Sequence, residues 1–283
     1  MIYLFKTHYS IGRGVIQAND PAKPSPDGKA SQIPNLVDIV TRNSDKIFGG
    51  SFGDDPENKN PDPKNPANPQ NNKCFVVDDS MAGIWPIYKT LKSKNISLVF
   101  GLRMNFVSDA SDKSESGNIS AHKNIIFAQN EIGYKRLIKI STKAHVDYFH
   151  EIPRIDYNYY HEIVSGADSP GLVLAIPFYD SFLYNNKITQ KQCVPDFRSL
   201  KPAMFVENND LPVDAPLQRA VVKYAEENGL EVVNAQTVYY ENQEDAVKYL
   251  VRRCMNRERG KQRTIEKPEL PGFGSDGFCI NKS

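Results

Sequence analysis

The chain has 283 residues, 40% of them hydrophobic and 24% charged, and its formal net charge is +1. This length suits one large α/β domain or two modest ones, and the near-neutral charge argues against a surface that binds nucleic acid everywhere, although a local basic patch remains compatible with it. No apolar run reaches the ~18 residues that a membrane span needs, and the N-terminus lacks the pattern of a secretory signal. The four cysteines, Cys74, Cys193, Cys254 and Cys279, form no CxxC pair. We therefore expect reduced thiols in a cytoplasmic protein that does not associate with a membrane.

Seven short apolar runs predict buried strands at residues 2–5, 74–77, 98–100, 124–128, 172–175, 203–206 and 231–233. Most are continuous rather than alternating, which is typical of a buried parallel sheet. Helical patterns lie between them, for example from Leu217 to Ala225, where Asp214 suits the start of a helix and Gly229 its end. This alternation predicts an α/β fold, either a (β/α) barrel or a doubly wound sheet, with ligand sites at the carboxyl ends of the strands.

Residues 54–73 read DDPENKNPDPKNPANPQNNK and contain almost no apolar side chain. Such a segment buries too little surface to offset the entropy of ordering it. We predict a Pro/Asn/Asp-rich loop insertion here, and a binding motif is the less favoured alternative.

Residues 243–283 predict a helix with the apolar stripe Val247, Leu250, Val251 and Cys254, followed by a tail. Basic side chains surround the stripe and could contact phosphates or an acidic partner, although a solvated face is the commoner meaning of such a pattern. The candidate contacts are Lys248, Arg252, Arg253, Arg257 and Arg259.

The residues alone indicate no complete active site. The five histidines form no HExxH or HxH motif, and the chain contains no GxSxG, P-loop or GxGxxG sequence. Asp78 and Asp79 follow a predicted strand, where a metal-binding carboxylate would lie, but adjacent carboxylates are as common in turns and caps.

The segment HKNIIFAQNEIGYKRLIKISTKAHVDYFHEIPRID, residues 122–156, resembles the PHP (polymerase and histidinol phosphatase) domain of bacterial DNA polymerase III alpha subunits, the C-family replicative polymerases. Further stretches, THYSIGRG near the start, DDSMAGIWPIYKTLKSKNISLVFGLRMNFV, ENGLEVVNAQTVYYENQEDAVKYL and GFCINKS, resemble the same family in the same order. The resemblance thus runs over residues 1–283 as one PHP-like domain. It implies a distorted seven-stranded (β/α) barrel.

The resemblance also implies where a metal site would lie. Family members with an intact site carry His-x-His after the first strand, and the corresponding positions here are Leu4 and Lys6, which leaves His8 at a spacer position. The family's Gly-x-Glu becomes Gly101-Leu102-Arg103. His122 is the one ligand position that survives, with Asp78 or Asp79 as a second. The vestigial metal-site positions are Leu4, Lys6, Asp78, Asp79, Arg103, His122, Phe178, Thr237 and Tyr239.

One His and one Asp do not hold a di- or trinuclear site. We therefore expect no catalytic residue and no Zn²⁺ or Mn²⁺ at this position. Instead, Lys6 or Arg103 should pair with Asp78 or Asp79, Tyr239 should cover the pocket, and His122 should lie at the same rim.

The hypothesis with most support is a replication protein: a PHP-like domain that supports polymerase modules, on the same or a separate chain, and possesses no complete active site of its own. The family implies Mg²⁺ for those modules, a proofreading exonuclease as a partner, and indirect contact with DNA. One alternative is a residual metal-dependent phosphoesterase or 3′–5′ exonuclease, and another is a free-standing regulatory module that mimics the polymerase's PHP domain.

Overall fold

The computed structural model describes residues 1–6, 39–41, 43, 72–165, 171–247, 249 and 275–281. Its strands are β1 (Ile2–Phe5), β2 (Lys73–Asp78), β3 (Ser97–Val107), β4 (His122–Ala128), β5 (Arg154–Asp156), β6 (Leu172–Ile176), β7 (Ala203–Val206), β8 (Val232–Val238), β9 (Tyr240–Asn242) and β10 (Cys279–Asn281). Its helices are α1 (Ile84–Ser93), α2 (Glu131–Val146), α3 (Tyr157–Ser165), α4 (Phe182–Ile188) and α5 (Asp214–Asn228). A short 3₁₀ turn spans Gln243–Asp245.

Seven of these strands close into a barrel in the order β2-β1-β8-β7-β6-β4-β3, because β3 pairs back onto β2. The predicted seven-stranded (β/α) barrel is therefore confirmed. β1 lies in parallel register between β2 and β8, so that Leu4 pairs with Phe75 on one side and with Thr237 on the other. This register brings the carboxyl ends of β1, β2, β7 and β8 to one rim.

The expectation of a parallel sheet is wrong for β4, which runs antiparallel to both of its neighbours, β3 and β6. Residues 108–121 join β3 to β4 without a crossover helix, so the chain returns in the opposite direction. β3 also extends to Val107, well beyond the predicted residues 98–100, and its end pairs with the three-residue β5, which the sequence did not predict.

The core has two layers. Inward-facing residues such as Leu4, Val77, Ile125 and Phe205 fill the barrel, and a larger apolar cluster lies between the strands and the surrounding helices. At Gly101, a Cβ atom would lie 2.7 Å from Ile125 and Phe127 side-chain atoms, so the close packing of β3 on β4 requires glycine there.

The ends of α5 correct one prediction and confirm another. Val213, rather than Asp214, is the N-cap residue and makes no side-chain cap. The Asp214 carboxylate instead accepts hydrogen bonds from the Asn209 and Leu211 backbone amides. Gly229 ends the helix in the left-handed conformation, as predicted, with φ of 62°.

The tail returns to the barrel, where Gln236 Nε2 of β8 donates a hydrogen bond to the Gly277 carbonyl at 2.8 Å. β10 then pairs in parallel with β9 in a separate two-stranded sheet. The predicted insertion lies outside the described residues except for residues 72 and 73, and Lys73 begins β2. The side chains of Lys248, Arg252, Arg253, Arg257 and Arg259, as well as His8 and Cys254, also lie outside the described part. Among the helices that the structure describes, none is both long and apolar enough to cross a membrane.

Candidate functional site

A small pocket, lined by both charged and apolar side chains, opens at the rim where the parallel strands end. Its free volume of about 20 Å³ is enough for roughly one water molecule. It is therefore too small, in this conformation, for a nucleotide or a phosphate group. The lining residues are Leu4, Lys6, Val77, Arg103, Ile125, Pro177, Tyr179, Glu207, Thr237 and Tyr239.

Lys6 follows directly after β1, and side chains alternate along an extended chain, so Lys6 enters the same pocket as Leu4. It is 5% exposed. It forms no ion pair with a carboxylate of the described residues. Burial, reinforced by the nearby Arg103 guanidinium, lowers the pKa of Lys6 to about 8, although Asp79, Asp78 and Glu207 oppose the shift.

Arg103 and Lys123 converge on one carboxylate at the rim. Arg103 Nε lies 2.8 Å from Asp79 Oδ1, and Lys123 Nζ lies 3.3 Å from the same oxygen. A second contact joins Arg103 Nη2 to Asp79 Oδ2 at 3.4 Å, and Arg103 Nη1 lies 3.4 Å from Asp180 Oδ2. The arginine therefore bridges two aspartates that follow different strands.

These contacts determine the ionisation of Asp79 and Arg103. Burial alone would raise the pKa of Asp79, but Arg103, Lys123 and Lys6 outweigh it and hold this pKa well below its usual range. Burial likewise lowers the pKa of Arg103, but Asp79 and Asp180 outweigh it and the net pKa is raised. Asp79 and Arg103 are therefore both charged at neutral pH.

Glu207, directly after β7, also lines the pocket and is 4% exposed. It accepts hydrogen bonds from Thr237 through the backbone N–H at 2.8 Å and through Oγ1 at 2.9 Å, and a third from Asn209 Nδ2 at 3.0 Å. Burial raises its pKa, although the hydrogen bonds from Thr237 and Asn209 and the charge of Lys6 limit the shift. These bonds hold Thr237 against Glu207 and occupy the carboxylate.

Tyr239 forms an aromatic wall at the mouth of this pocket. Its ring stacks on Tyr249, with 4.7 Å between centroids and 13° between planes, and also contacts Phe278 at 5.3 Å. The Tyr239 backbone N–H donates to the Phe278 carbonyl at 3.0 Å, so the returning tail supports this wall.

The prediction that His122 lies at the rim with Lys6 and Arg103 is wrong. Since Arg103 and its partner Ile125 face the barrel interior, alternation along β4 turns Lys123 inward and His122 outward. The His122 ring is buried in the outer layer, where Nε2 lies 2.8 Å from Tyr157 Oη and Nδ1 lies 2.9 Å from the Ser120 carbonyl oxygen. Burial lowers the pKa of His122 to about 4, so the ring is neutral at pH 7.

The remaining predicted positions also divide between the rim pocket and the outer core. Phe178 is fully buried in the outer cluster, whereas its neighbours Pro177 and Tyr179 line the pocket. Asp78 is 1% exposed, and Asp79 rather than Asp78 contacts Arg103. The structure thus brings together Leu4, Lys6, Asp79, Arg103, Thr237 and Tyr239.

Three charged residues of this site were not identified from the sequence: Lys123, Asp180 and Glu207. Glu207 could have been found, because a lone carboxylate directly after an apolar strand lies at the ligand-binding end of a barrel. Lys123 would have required knowing the direction of β4. The backbone carbonyl of Asp180 accepts a hydrogen bond from the Lys123 backbone N–H at 2.8 Å, and this contact fixes Asp180 beside β4.

The donor set does not fit a multinuclear metal centre. Arg103 and Lys123 contact Asp79, and Arg103 also contacts Asp180. Lys6 lies close enough to Asp79, Asp78 and Glu207 for their charges to act on it. Across the described ranges, no group of three or more His, Cys, Asp or Glu side chains is placed to hold a metal ion. Cationic nitrogens donate hydrogen bonds and repel a metal ion, so this arrangement satisfies its carboxylates internally.

Comparison with known proteins gives a consistent picture. Residues 70–176 match the family model of the PHP domain. The DNA polymerase III subunit alpha of Aquifex aeolicus is 25% identical in an alignment 183 residues long, which covers 61% of this chain and 16% of that protein. The subunit alpha of Treponema pallidum is 25% identical in an alignment 214 residues long, which covers 72% of this chain and 18% of that protein. The subunit alpha of Bacillus subtilis is 24% identical in an alignment 204 residues long, which covers 70% of this chain and 17% of that protein.

These matches confirm the resemblance drawn from residues 122–156, and the chain spans less than a fifth of each of these relatives.

Proposed function

We propose that this chain, which carries a PHP domain similar to that of DNA polymerase III alpha subunits, acts in DNA replication as a structural and docking domain that has lost metal-dependent hydrolysis. The similarity to replicative polymerase subunits supports the replication context. Nucleotidyl transfer by two metal ions would belong to polymerase modules with their own Mg²⁺ ligands, on the same chain or on a separate one. These modules are the first partner of the proposed role, and a proofreading exonuclease is the second.

The observation that carries the loss of hydrolysis is the contact of Arg103 and Lys123 with Asp79, at 2.8 Å and 3.3 Å. In a hydrolytic centre, the carboxylate would bind a metal ion that lowers the pKa of a water molecule. Here, two fixed cations occupy the positions around that oxygen. A cation on a side chain neutralises Asp79 but offers no open coordination position for water.

The hydrolytic part of the proposal is tested with the purified chain, Mn²⁺ or Zn²⁺, and two substrates, bis(p-nitrophenyl) phosphate and an end-labelled single-stranded oligonucleotide. We expect the same background rate from the unaltered chain, from Asp79→Asn and from the surface control Glu131→Gln. Metal-dependent turnover that disappears in Asp79→Asn but persists in Glu131→Gln would replace this proposal with the residual phosphoesterase or exonuclease alternative.

The docking part is tested by co-expression with the C-family polymerase segment of the same source. Co-elution in size-exclusion chromatography, at a mass equal to the sum of the two, is the expected result. Separate elution under low and moderate salt would contradict it and favour a free-standing regulatory module.

A further inference from the structure

An apolar groove lies between α1 and α2, on the outer face of β3 and β4, away from the rim pocket. Its volume is about 450 Å³, within the range of ordinary ligand-binding clefts. The groove exists because β3 returns to β4 through residues 108–121, so no crossover helix covers this part of the barrel. Its lining residues are Ile84, Trp85, Tyr88, Leu98, Phe100, Ala128, Gln129, Asn130, Glu131 and Tyr134.

Two large aromatic side chains are exposed along the α1 side of this groove. Trp85 is 59% exposed and Tyr88 is 38% exposed. Their rings stack on each other with 5.9 Å between centroids and 25° between planes, so each ring limits the movement of the other. Exposed Trp and Tyr side chains beside an apolar floor are typical anchors of protein interfaces.

The α1 side of the groove is positively charged, since Lys89 and Lys92 lie beside the Trp85 and Tyr88 rings that line it. Lys89 and Lys92 of α1 are exposed, and so is Lys94 just after the helix. Helix α2 carries the exposed Lys135 and Lys139. Glu131, the acidic residue in the first turn of α2, is already paired with Lys135 at 2.6 Å. The surroundings of the groove therefore favour an occupant with negative charge.

We propose that this groove binds an acidic amphipathic peptide segment of a partner protein. Its apolar side chains pack on Trp85, Tyr88 and the floor formed by Leu98 and Phe100, while its carboxylates face the lysines of α1. This is the helix-in-groove mode, in which apolar anchors recur every three or four residues.

Single-stranded nucleic acid fits this surface less well, although it too is anionic. A stacked base needs a whole free ring face, and the faces of both rings are partly covered, since Tyr88 stacks on Trp85, Lys89 Nζ lies 4.9 Å from the Trp85 ring centroid, and Lys92 Nζ lies 5.4 Å from that of Tyr88. An apolar side chain of a peptide needs only part of a ring, and Trp85 remains 59% exposed. A base inserted between the helices would also leave polar edges against an apolar floor, and unpaired polar groups are costly to bury.

The experiment is a selection of random 16-residue peptides displayed on phage against the purified chain, with counter-selection on Trp85→Ala. We expect the enriched peptides to be net acidic, with apolar residues spaced three or four apart. Trp85 is the single tryptophan of the chain, so its emission should shift to shorter wavelength when an enriched synthetic peptide binds.

Anisotropy of the labelled peptide then gives the affinity of each variant. We expect Trp85→Ala to weaken binding by about tenfold or more, as for an interface anchor. Val194→Ala, which alters another exposed apolar side chain outside the groove, should leave the affinity unchanged. Added salt should weaken binding, and both variants should melt at the temperature of the parent.

The proposal is overturned if no peptide depends on Trp85, if the enriched peptides lack acidic bias, or if a dT20 oligonucleotide binds in a Trp85-dependent way and the peptides do not. Because the groove shares no residue with the rim pocket, any of these results leaves the proposed loss of hydrolysis untouched.

Discussion

The ion pair between Arg103 and Asp79 offers a quantitative test through a double-mutant cycle of Arg103→Met and Asp79→Asn. The Arg103 side chain is 19% exposed and that of Asp79 is 43% exposed, so the pair is neither fully buried nor fully solvated. Exposed pairs couple by about 0.2–1 kcal/mol, whereas breaking a fully buried pair costs about 3–5 kcal/mol. We expect a coupling energy of about 1–2 kcal/mol, with Asp79→Asn the more damaging single change because it leaves Arg103 and Lys123 facing each other.

The measurement is urea unfolding of the parent, both single variants and the double variant at pH 7 and low salt, with the matched cycle Arg198→Met and Asp196→Asn as control. That control pair is also an Arg–Asp contact, at 3.0 Å, but its side chains are 51% and 48% exposed. Its coupling should stay below about 0.5 kcal/mol. If the coupling energy of Arg103 with Asp79 is no larger than that of Arg198 with Asp196, the view that Arg103 compensates the charge of Asp79 is refuted.

Two further predictions follow from the buried titratable groups. Lys6→Met should raise the free energy of unfolding by about 1–3 kcal/mol at pH 7, because the folded state lowers the Lys6 pKa to about 8 from 10.5. The folded chain releases the Lys6 proton at a lower pH than the unfolded chain does, so the free energy of unfolding of the parent rises between pH 8 and 10.5. Over that range the difference in stability between Lys6→Met and the parent should fall to zero. An unchanged or lower stability of Lys6→Met at pH 7 would contradict this reasoning. The pKa of His122 is about 4 in the folded chain and 6.5 as its ordinary value, so the unfolded chain binds the proton at a higher pH than the folded chain does. The free energy of unfolding of the parent should therefore fall by about 3 kcal/mol as the pH falls from 6.5 to 4. His122→Gln should show a shallower loss over that window in chemical denaturation, and equal slopes would show that the ring is not buried in its neutral form.

The sequence was sufficient for the barrel and for much of its rim. Continuous apolar runs such as residues 2–5 and 203–206 recur as strands because both faces of a barrel strand are buried. The family resemblance placed Lys6, Arg103 and Tyr239 after different strands, and the closed sheet brings them to one pocket. The sequence did not predict β5, because a strand of three residues is too short to show a periodic pattern.

The difference between His122 and Lys123 shows where sequence reasoning stops. The two residues are adjacent, and their order along β4 does not reveal which one faces the barrel. Which of the two side chains faces the barrel is decided by the pairing of Arg103 with Ile125 between the antiparallel strands β3 and β4. A one-residue change of register exchanges the two faces of a strand, so a residue that resembles a metal ligand lies in the outer core and a lysine takes the inward position.

The central claim, that side-chain cations have replaced metal ions at the rim, is tested most directly by anomalous diffraction from crystals soaked in MnCl₂ and, separately, in ZnCl₂. We predict no anomalous peak among Lys6, Asp79, Arg103 and Glu207, with Arg103 Nε still in contact with Asp79 Oδ1 near the 2.8 Å observed here. Two or more strong peaks at this position, with Arg103 and Lys123 displaced from Asp79, would contradict the account.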